Sequence, residues 1–191
     1  METTLEAIDF AQLTDRPYFS SPAAWEDQVL YFLMLDRFSD GNETGYKDVE
    51  GAVVTSGSTP PFVTTDAGNA VNTPQAASAW SDAGGRFVGG TLKGLQSKLG
   101  YLRRLGITAI WISPIFKQVP SQQTYHGYGI QNYLDVDPRF GSRDDLVNLV
   151  SAAHAQSIRV ILDIILNHAG DVFAYRPEEA RPDQPDAFGG V

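Results

Sequence analysis

The sequence contains no cysteine, which excludes disulfide bonds and thiolate metal sites. No apolar run approaches the ~20 residues that span a bilayer, and the first residues, METTLEAIDFAQL, lack the apolar stretch of a signal peptide. Basic residues are scarce, since 14 Lys and Arg stand against 23 Asp and Glu. Phosphate binding needs clustered basic residues, so we expect no nucleic-acid partner. Because no apolar run is long enough to span a bilayer, we also expect no membrane partner. Localisation stays open: cytoplasmic if Met1 is the true start, secreted if a leader was removed.

What is present is typical of a folded domain. Of the 191 residues, 42% are hydrophobic and 19% are charged, which indicates a globular chain. Three apolar segments, rich in β-branched and aromatic residues, predict parallel strands covered on both faces. These segments are residues 28–35, 107–113 and 158–166.

Two amphipathic segments between the predicted strands predict helices. The first extends from an N-cap at Thr91 to Gly106, and the second begins with a capping box formed by Ser142 and Asp145. The apolar stripe of the first comprises Leu92, Leu95, Leu99, Leu102 and Leu105. The order β-α-β-α-β predicts parallel pairing through right-handed crossovers.

The connections that follow the first two strands are long, whereas those that follow the helices are short. Residues 39–90 and 114–141 exceed the ~12–15 residues of ordinary loops, and loops of such length are usually functional or disordered. In the first we expect a mobile middle and an ordered end, WSDAGGRFVGG. Long loops at the carboxyl ends of the strands are typical of a (β/α) barrel enzyme, whose site lies at that end.

Three polar clusters are candidates for function, and each has a plainer alternative. Asp163, Asn167 and His168 lie at or just past the end of the third predicted strand. Asp163 and Asn167 would share a face if the strand continued regularly, or the Asp and Asn side chains simply close the turn. The segment YHGYGIQNYLDVDPRFGS, residues 125–142, contains Tyr and His side chains that suit a sugar, or its aromatic rings merely pack on the barrel rim. DRFSDGN, residues 36–42, could hold calcium or form an ordinary turn.

Taken in order, these stretches resemble the α-amylase family of glycoside hydrolases and transglycosylases. The motifs that carry the resemblance are LDRFSDGN, FVGGTLKGLQSKLGYLRRLG, LGITAIWISPIF, YHGYG and DIILNH. The resemblance implies strands one to three of a TIM (β/α)8 barrel, followed by the start of the loop domain after strand three. Residues 1–27 would then be an N-terminal extension, 28–168 the first three βα units, and 169–191 the start of that loop domain.

The resemblance also implies roles for individual residues. His126 and His168 would hydrogen-bond the sugar beside the scissile bond, Tyr128 would stack on it, and Asp163 would help to order the floor of the site. Among potential metal ligands, Asn167 would bind the calcium of the loop after strand three. Asp40 and Asn42 match ligands of a second calcium site found in some members. No organic cofactor is implied.

The sequence departs from the family at several of these positions. Gly129 stands where tryptophan is usual, and Asn132 replaces a frequent aspartate. At the second calcium site Thr91 replaces an aspartate, while Gly45 and Tyr46 replace asparagines. That site is therefore expected to be incomplete.

The family's catalytic carboxylates belong to later strands, and neither Asp36 nor Asp163 matches them. We therefore expect the N-terminal part of a retaining α-glucan-active enzyme, inactive alone, whose partners are an α-glucan or maltooligosaccharide and the remainder of the barrel in the same or another chain. The alternative is a non-catalytic carbohydrate-binding or scaffold protein of the same fold. Hydrolysis versus transglycosylation, linkage preference, calcium occupancy and oligomeric state stay open.

Overall fold

A computed structural model describes residues 4–15, 17–48, 50–59 and 74–172. In these ranges the strands are β1 (Leu30–Leu33), β2 (Ala109–Ile112), β3 (Phe116–Gln118), β4 (Ile130–Val136) and β5 (Arg159–Leu162). The helices are α1 (Phe10–Thr14), α2 (Leu35–Phe38), α3 (Pro74–Gly84), α4 (Leu92–Ser97), α5 (Leu99–Arg104) and α6 (Arg143–Ala155). No helix among the described residues is long and apolar enough to cross a membrane.

The centre of the fold is a parallel sheet in the order β1-β2-β5. Each of its strands lies inside one of the three apolar segments, so the prediction of a partial α/β barrel with parallel βα units is confirmed. The strands are shorter than the segments. β1, for example, ends where the amide of Leu35 donates to the Ser113 hydroxyl at 3.0 Å instead of extending the ladder.

The predicted helices begin where their caps place them. Thr91 accepts from the amide of Gly94, and Ser142 and Asp145 form the complete capping box of α6. The first predicted helix is interrupted at Lys98, which separates α4 from α5. Just before the break, the Ser97 hydroxyl donates to the Gly94 carbonyl at 2.7 Å, a local bond that competes with regular helix pairing.

Helices α4, α5 and α6 pack on one face of the sheet and form the core. Its fully buried members include Leu92, Leu95, Leu99, Leu102, Ile110, Ile112, Phe140 and Leu149. The predicted leucine stripe is therefore confirmed at four of five positions. Leu105 is 55% exposed, because it lies one residue beyond the end of α5.

The opposite face of the sheet is open. Leu30 and Phe32 in β1 are 50% and 46% exposed, and Trp111, paired with Phe32, is 38% exposed. The expectation that both faces are covered is thus wrong for the described residues. In a (β/α) barrel this face is the interior, which is filled by side chains from further strands.

The long segment after β2 contains structure that the sequence did not predict. β3 and β4 form an antiparallel pair with two register irregularities. In the segment after β1, isolated bridges join Glu43 to Thr59 and Lys47 to Val53. The expected mobile middle falls largely on residues 60–73, which lie outside the described residues, as do 173–191. Its predicted ordered end, residues 80–90, is described and begins in α3. The domain boundaries at 27/28 and 168/169 stay predictions.

Candidate functional site

The YHGYG loop is held by a buried glutamine of β3. Gln118 is 2% exposed, and its Nε2 donates to the carbonyls of Phe116 and Gly127 at 2.7 and 2.9 Å. Its Oε1 accepts from the amide of Gly129 at 2.8 Å. The sequence analysis missed this residue, because no motif distinguishes a glutamine that bonds to loop backbone. Gln118 therefore fixes both sides of Tyr128.

Gly127 is required by the same loop. Its φ of +91° lies in the left-handed region, and a Cβ atom there would meet the Pro114 carbonyl oxygen at 2.0 Å. Glycine is the residue that adopts this φ without strain. The loop consequently lies directly on the end of β2 and presents His126 and Tyr128 on either side of the glycine.

Tyr128 connects this loop to the end of β5. Its hydroxyl donates to Oδ2 of Asp163 at 2.9 Å. Burial, with the hydrogen bond to Asp163 and its charge, raises the pKa of Tyr128. The phenol is therefore held neutral, with its proton on the carboxylate side.

His126 lies beside Tyr128 with one ring nitrogen engaged. Its Nδ1 lies 3.0 Å from the amide of Tyr128, which donates to it, so the neutral ring carries its proton on Nε2. The two rings are nearly parallel, with centroids 5.6 Å apart and an interplanar angle of 23°. Burial lowers the pKa of His126. Nε2 is thus left as a donor for a polar ligand.

His168 and Asn167 lie on the chain beyond β5. Because the strand ends at Leu162, the regular alternation that would align Asp163 with Asn167 does not extend to them. His168 Nε2 lies 3.1 Å from the Tyr128 carbonyl, and Nδ1 lies 3.1 Å from Asn167 Oδ1. Both ring nitrogens therefore face protein oxygens, and His168 would have to exchange one contact to bond a ligand.

Gly129, where tryptophan is usual in the family, is closely packed. A Cβ at Gly129 would meet Thr124 Cγ2 at 2.4 Å. The Gly170 amide donates to the Ile130 carbonyl at 2.7 Å, and a Cβ at Gly170 would lie 2.7 Å from the Gly129 carbonyl carbon. The chain after β5 therefore packs directly against the backbone of Gly129 and Ile130.

The residues that the resemblance implies as calcium ligands make local contacts in the described part of the chain. Asp40 and Asn42 are exposed, and Asp40 Oδ1 accepts from the Asn42 amide at 2.8 Å in a local turn. Asn167 is also exposed and its Oδ1 faces His168. The described part of the chain contains no group of three His, Cys, Asp or Glu side chains that could hold a metal. Calcium takes six to eight oxygen ligands, so these residues alone do not fit it.

Asp36 has a structural role that its position after β1 did not reveal. It is 2% exposed and its carboxylate accepts from the amides of Val88 and Gly89. It also pairs with Arg37 at 3.1 Å. The segment before α4 is therefore fixed to the end of β1.

Tyr128 and Asp163 meet beyond the carboxyl ends of neighbouring parallel strands, which is where (β/α) barrel enzymes place their sites. Residues 32–187 match the model of the alpha-amylase catalytic domain. The chain belongs to the alpha-amylase family.

Three relatives illustrate the similarity. An alpha-amylase of Streptomyces lividans is 49% identical over 98 residues, 48% of this chain and 11% of that protein. Alpha-amylase 2 of Dictyoglomus thermophilum is 34% identical over 150 residues, 78% of this chain and 20% of that protein. The crystal structure of an alpha-amylase from Geobacillus thermoleovorans, complexed with acarbose, matches with a TM-score of 0.52 at 35% identity, covering 78% of this chain and 25% of that one. The chain thus spans only a minor part of these relatives' lengths.

Proposed function

We propose that this chain supplies one side of the sugar-binding cleft of a retaining, α-glucan-active glycosidase. The observation that carries the proposal is the hydrogen bond of 2.9 Å between Tyr128 and Asp163. It fixes the Tyr128 ring at the carboxyl end of the parallel sheet, beside His126, whose Nε2 is placed to donate to a ligand. Such a pair matches a sugar, which has apolar ring faces and hydroxyl edges.

Each residue has a defined part in this proposal. His126 donates from Nε2 to a sugar hydroxyl, and the ring of Tyr128 contacts the sugar's C–H face. Asp163 holds the Tyr128 phenol in place, while His168 braces the Tyr128 carbonyl and contributes a donor when it exchanges that contact. The acarbose complex of the Geobacillus relative supports an oligosaccharide as the ligand class, and starch-derived maltooligosaccharides are the proposed substrates.

We further propose that residues 1–191 do not catalyse hydrolysis alone. Retaining glycosidases need a nucleophilic carboxylate and an acid/base carboxyl group about 5–5.5 Å apart. Asp36 is occupied by backbone amides and Arg37, and Asp163 by Tyr128. The nucleophile and acid/base would come from further barrel strands, in the same or another chain. With them the reaction would proceed by double displacement through a glycosyl-enzyme intermediate.

The test combines calorimetry and a hydrolysis assay on the 191-residue chain. We expect maltoheptaose to bind, His126→Ala to weaken this binding, and reducing ends not to accumulate. Tyr101→Phe, at an exposed position on α5, is the control and should bind as the parent does. Absence of binding by the folded chain would overturn the cleft assignment. Hydrolysis by a sample free of contaminating amylase would overturn the proposed dependence on further strands.

A further inference from the structure

The loop that follows β1, residues 39–59, is built around a lysine from the helical layer. The Lys98 ammonium lies 3.0 Å from Glu43 Oε2 and 3.2 Å from the centroid of the Tyr46 ring. The side chain of Lys98 is only 13% exposed, and its nitrogen is shielded from solvent. The attraction of an enclosed cation to a carboxylate and an aromatic face is strong, because little water screens these charges.

Lys98 lies at the break between α4 and α5. The loop backbone also lies directly against α4, since a Cβ at Gly94 would meet the Ser39 carbonyl oxygen at 2.0 Å. The Ser39 hydroxyl donates to Glu43 Oε2 at 2.9 Å and accepts from the Gly41 amide at 3.1 Å. The ion pair is therefore connected to the loop backbone by hydrogen bonds.

The groups around Glu43 favour its charged form, which pairs with the Lys98 ammonium. Burial alone would raise the pKa of Glu43, but a bond to its own backbone amide, the Lys98 ammonium and the Ser39 hydroxyl together lower it below its usual value. Glu43 therefore keeps its negative charge at neutral pH.

Most carboxylates of the same loop are engaged by protein groups. Asp40 Oδ1 accepts from the backbone amide of Asn42 in an exposed turn, and Asp48 Oδ1 accepts from the amides of Glu50 and Ala52. The Thr91 side chain is used as the N-cap of α4. The one semi-buried carboxylate of the cluster formed by Ser39, Glu43, Tyr46 and Lys98, that of Glu43, is taken by Lys98.

We propose that the Lys98 ammonium orders this loop, and that the loop needs no calcium and binds none. The ammonium orders the loop by contacting one carboxylate and one aromatic ring, whereas a divalent ion would order it by binding several oxygens. This inference is independent of the proposed sugar site.

Amide hydrogen exchange tests the proposal locally. The reporters are the amides of Thr44, Gly45, Val54 and Thr59, which bond within the loop. In the parent protein we expect equal protection of these amides in EDTA and in calcium chloride. In Lys98→Met we expect exchange at least ~10-fold faster, because the loop opens more often. Slower exchange of the parent upon addition of calcium, or unchanged exchange in Lys98→Met, would overturn the proposal.

Two further variants separate this effect from general damage to the fold. Lys93→Met changes a lysine of α4, the helix that ends just before Lys98; its side chain is 77% exposed and pairs with Asp145. In this variant the loop amides should exchange as in the parent. Glu43→Gln retains the shape of the cluster but removes the charge that faces Lys98. It should also speed exchange of the loop amides, and if it does not, the ion pair is not what orders the loop.

Discussion

The hydroxyl of Tyr128 lies 2.9 Å from Oδ2 of Asp163, a residue 35 positions further along the chain. This bond ties the loop between β3 and β4 to the end of β5, while His168 Nε2 returns from beyond β5 to the Tyr128 carbonyl. The two segments therefore hold each other at the open edge of the sheet. A substitution at Tyr128 or at Asp163 should therefore affect the position of both segments.

Removal of the Tyr128 hydroxyl should destabilise the fold measurably. Tyr128→Phe leaves the Asp163 carboxylate without this donor, and hydrogen bonds to charged groups contribute about 1.5–3 kcal/mol. Because the site is only partly buried, we expect the free energy of unfolding, measured by urea denaturation, to decrease by about 1.5 kcal/mol. Tyr101→Phe, on exposed Tyr101, should have no effect. Equal stability of Tyr128→Phe and the parent would show that the bond contributes nothing.

Stability should decrease as the pH falls through the titration of His126. Its pKa in the folded state is lowered by burial, whereas the unfolded state keeps the ordinary value of about 6.5. Between these two values the unfolded chain binds more protons, so stability is fully present above pH 6.5 and is lost as the pH falls. His126→Gln should flatten the slope of stability against pH in this interval. NMR titration should find the neutral ring protonated on Nε2, and a Nδ1–H tautomer would contradict the structure.

Substitution of Gly127 should be far more damaging than substitution of a glycine with the same backbone angle and free space. Gly127→Ala forces both a positive φ and a contact with the Pro114 carbonyl, so we expect a loss above ~3 kcal/mol. Gly106 has a φ of +89° with no atom near its Cβ position, and Gly106→Ala should cost about 1 kcal/mol. Thermal unfolding of the two variants measures the difference. Similar losses would mean that the contact with Pro114 is relieved cheaply.

Gln118 should act on sugar binding through the loop that it holds. In Gln118→Leu the carbonyls of Phe116 and Gly127 and the amide of Gly129 lose their partner, and each buried unsatisfied group costs about 1–3 kcal/mol. We expect a lower Tm and weaker maltoheptaose binding. Gln131→Leu, at an exposed position in β4, is the matched control. A normal Tm with normal affinity in Gln118→Leu would remove its positioning role.

The elements that the sequence predicted are those with local causes. Thr91 and Ser142 cap their helices through side chains three residues or fewer from the groups they bond, so the pattern of a short stretch is sufficient. The parallel strands were recognised by their apolar runs. Their ends were overestimated, because the Ser113 hydroxyl that ends β1 belongs to another strand's segment.

The β3–β4 pair could not be predicted for a different reason. β4 does not alternate regularly between buried and exposed residues, and its register against β3 shifts twice. In the candidate site the polar clusters stand out in the sequence itself, whereas the role of each residue is implied by the resemblance, and these sugar-binding roles stay predictions. Gln118, which fixes the loop, bonds to backbone groups within 11 residues of itself, but such side-chain-to-backbone bonds leave no periodic pattern in the sequence.

The sheet order β1-β2-β5 is also the order in which a ribosome makes these strands. Since N-terminal regions leave the ribosome first, β2 can pair with β1, and β5 with β2, as soon as each strand is made. During this time the face that carries Phe32 and Trp111 stays exposed to solvent, while further strands are added to the sheet. A nascent chain at this stage offers chaperones an apolar surface beside a sheet that is already paired.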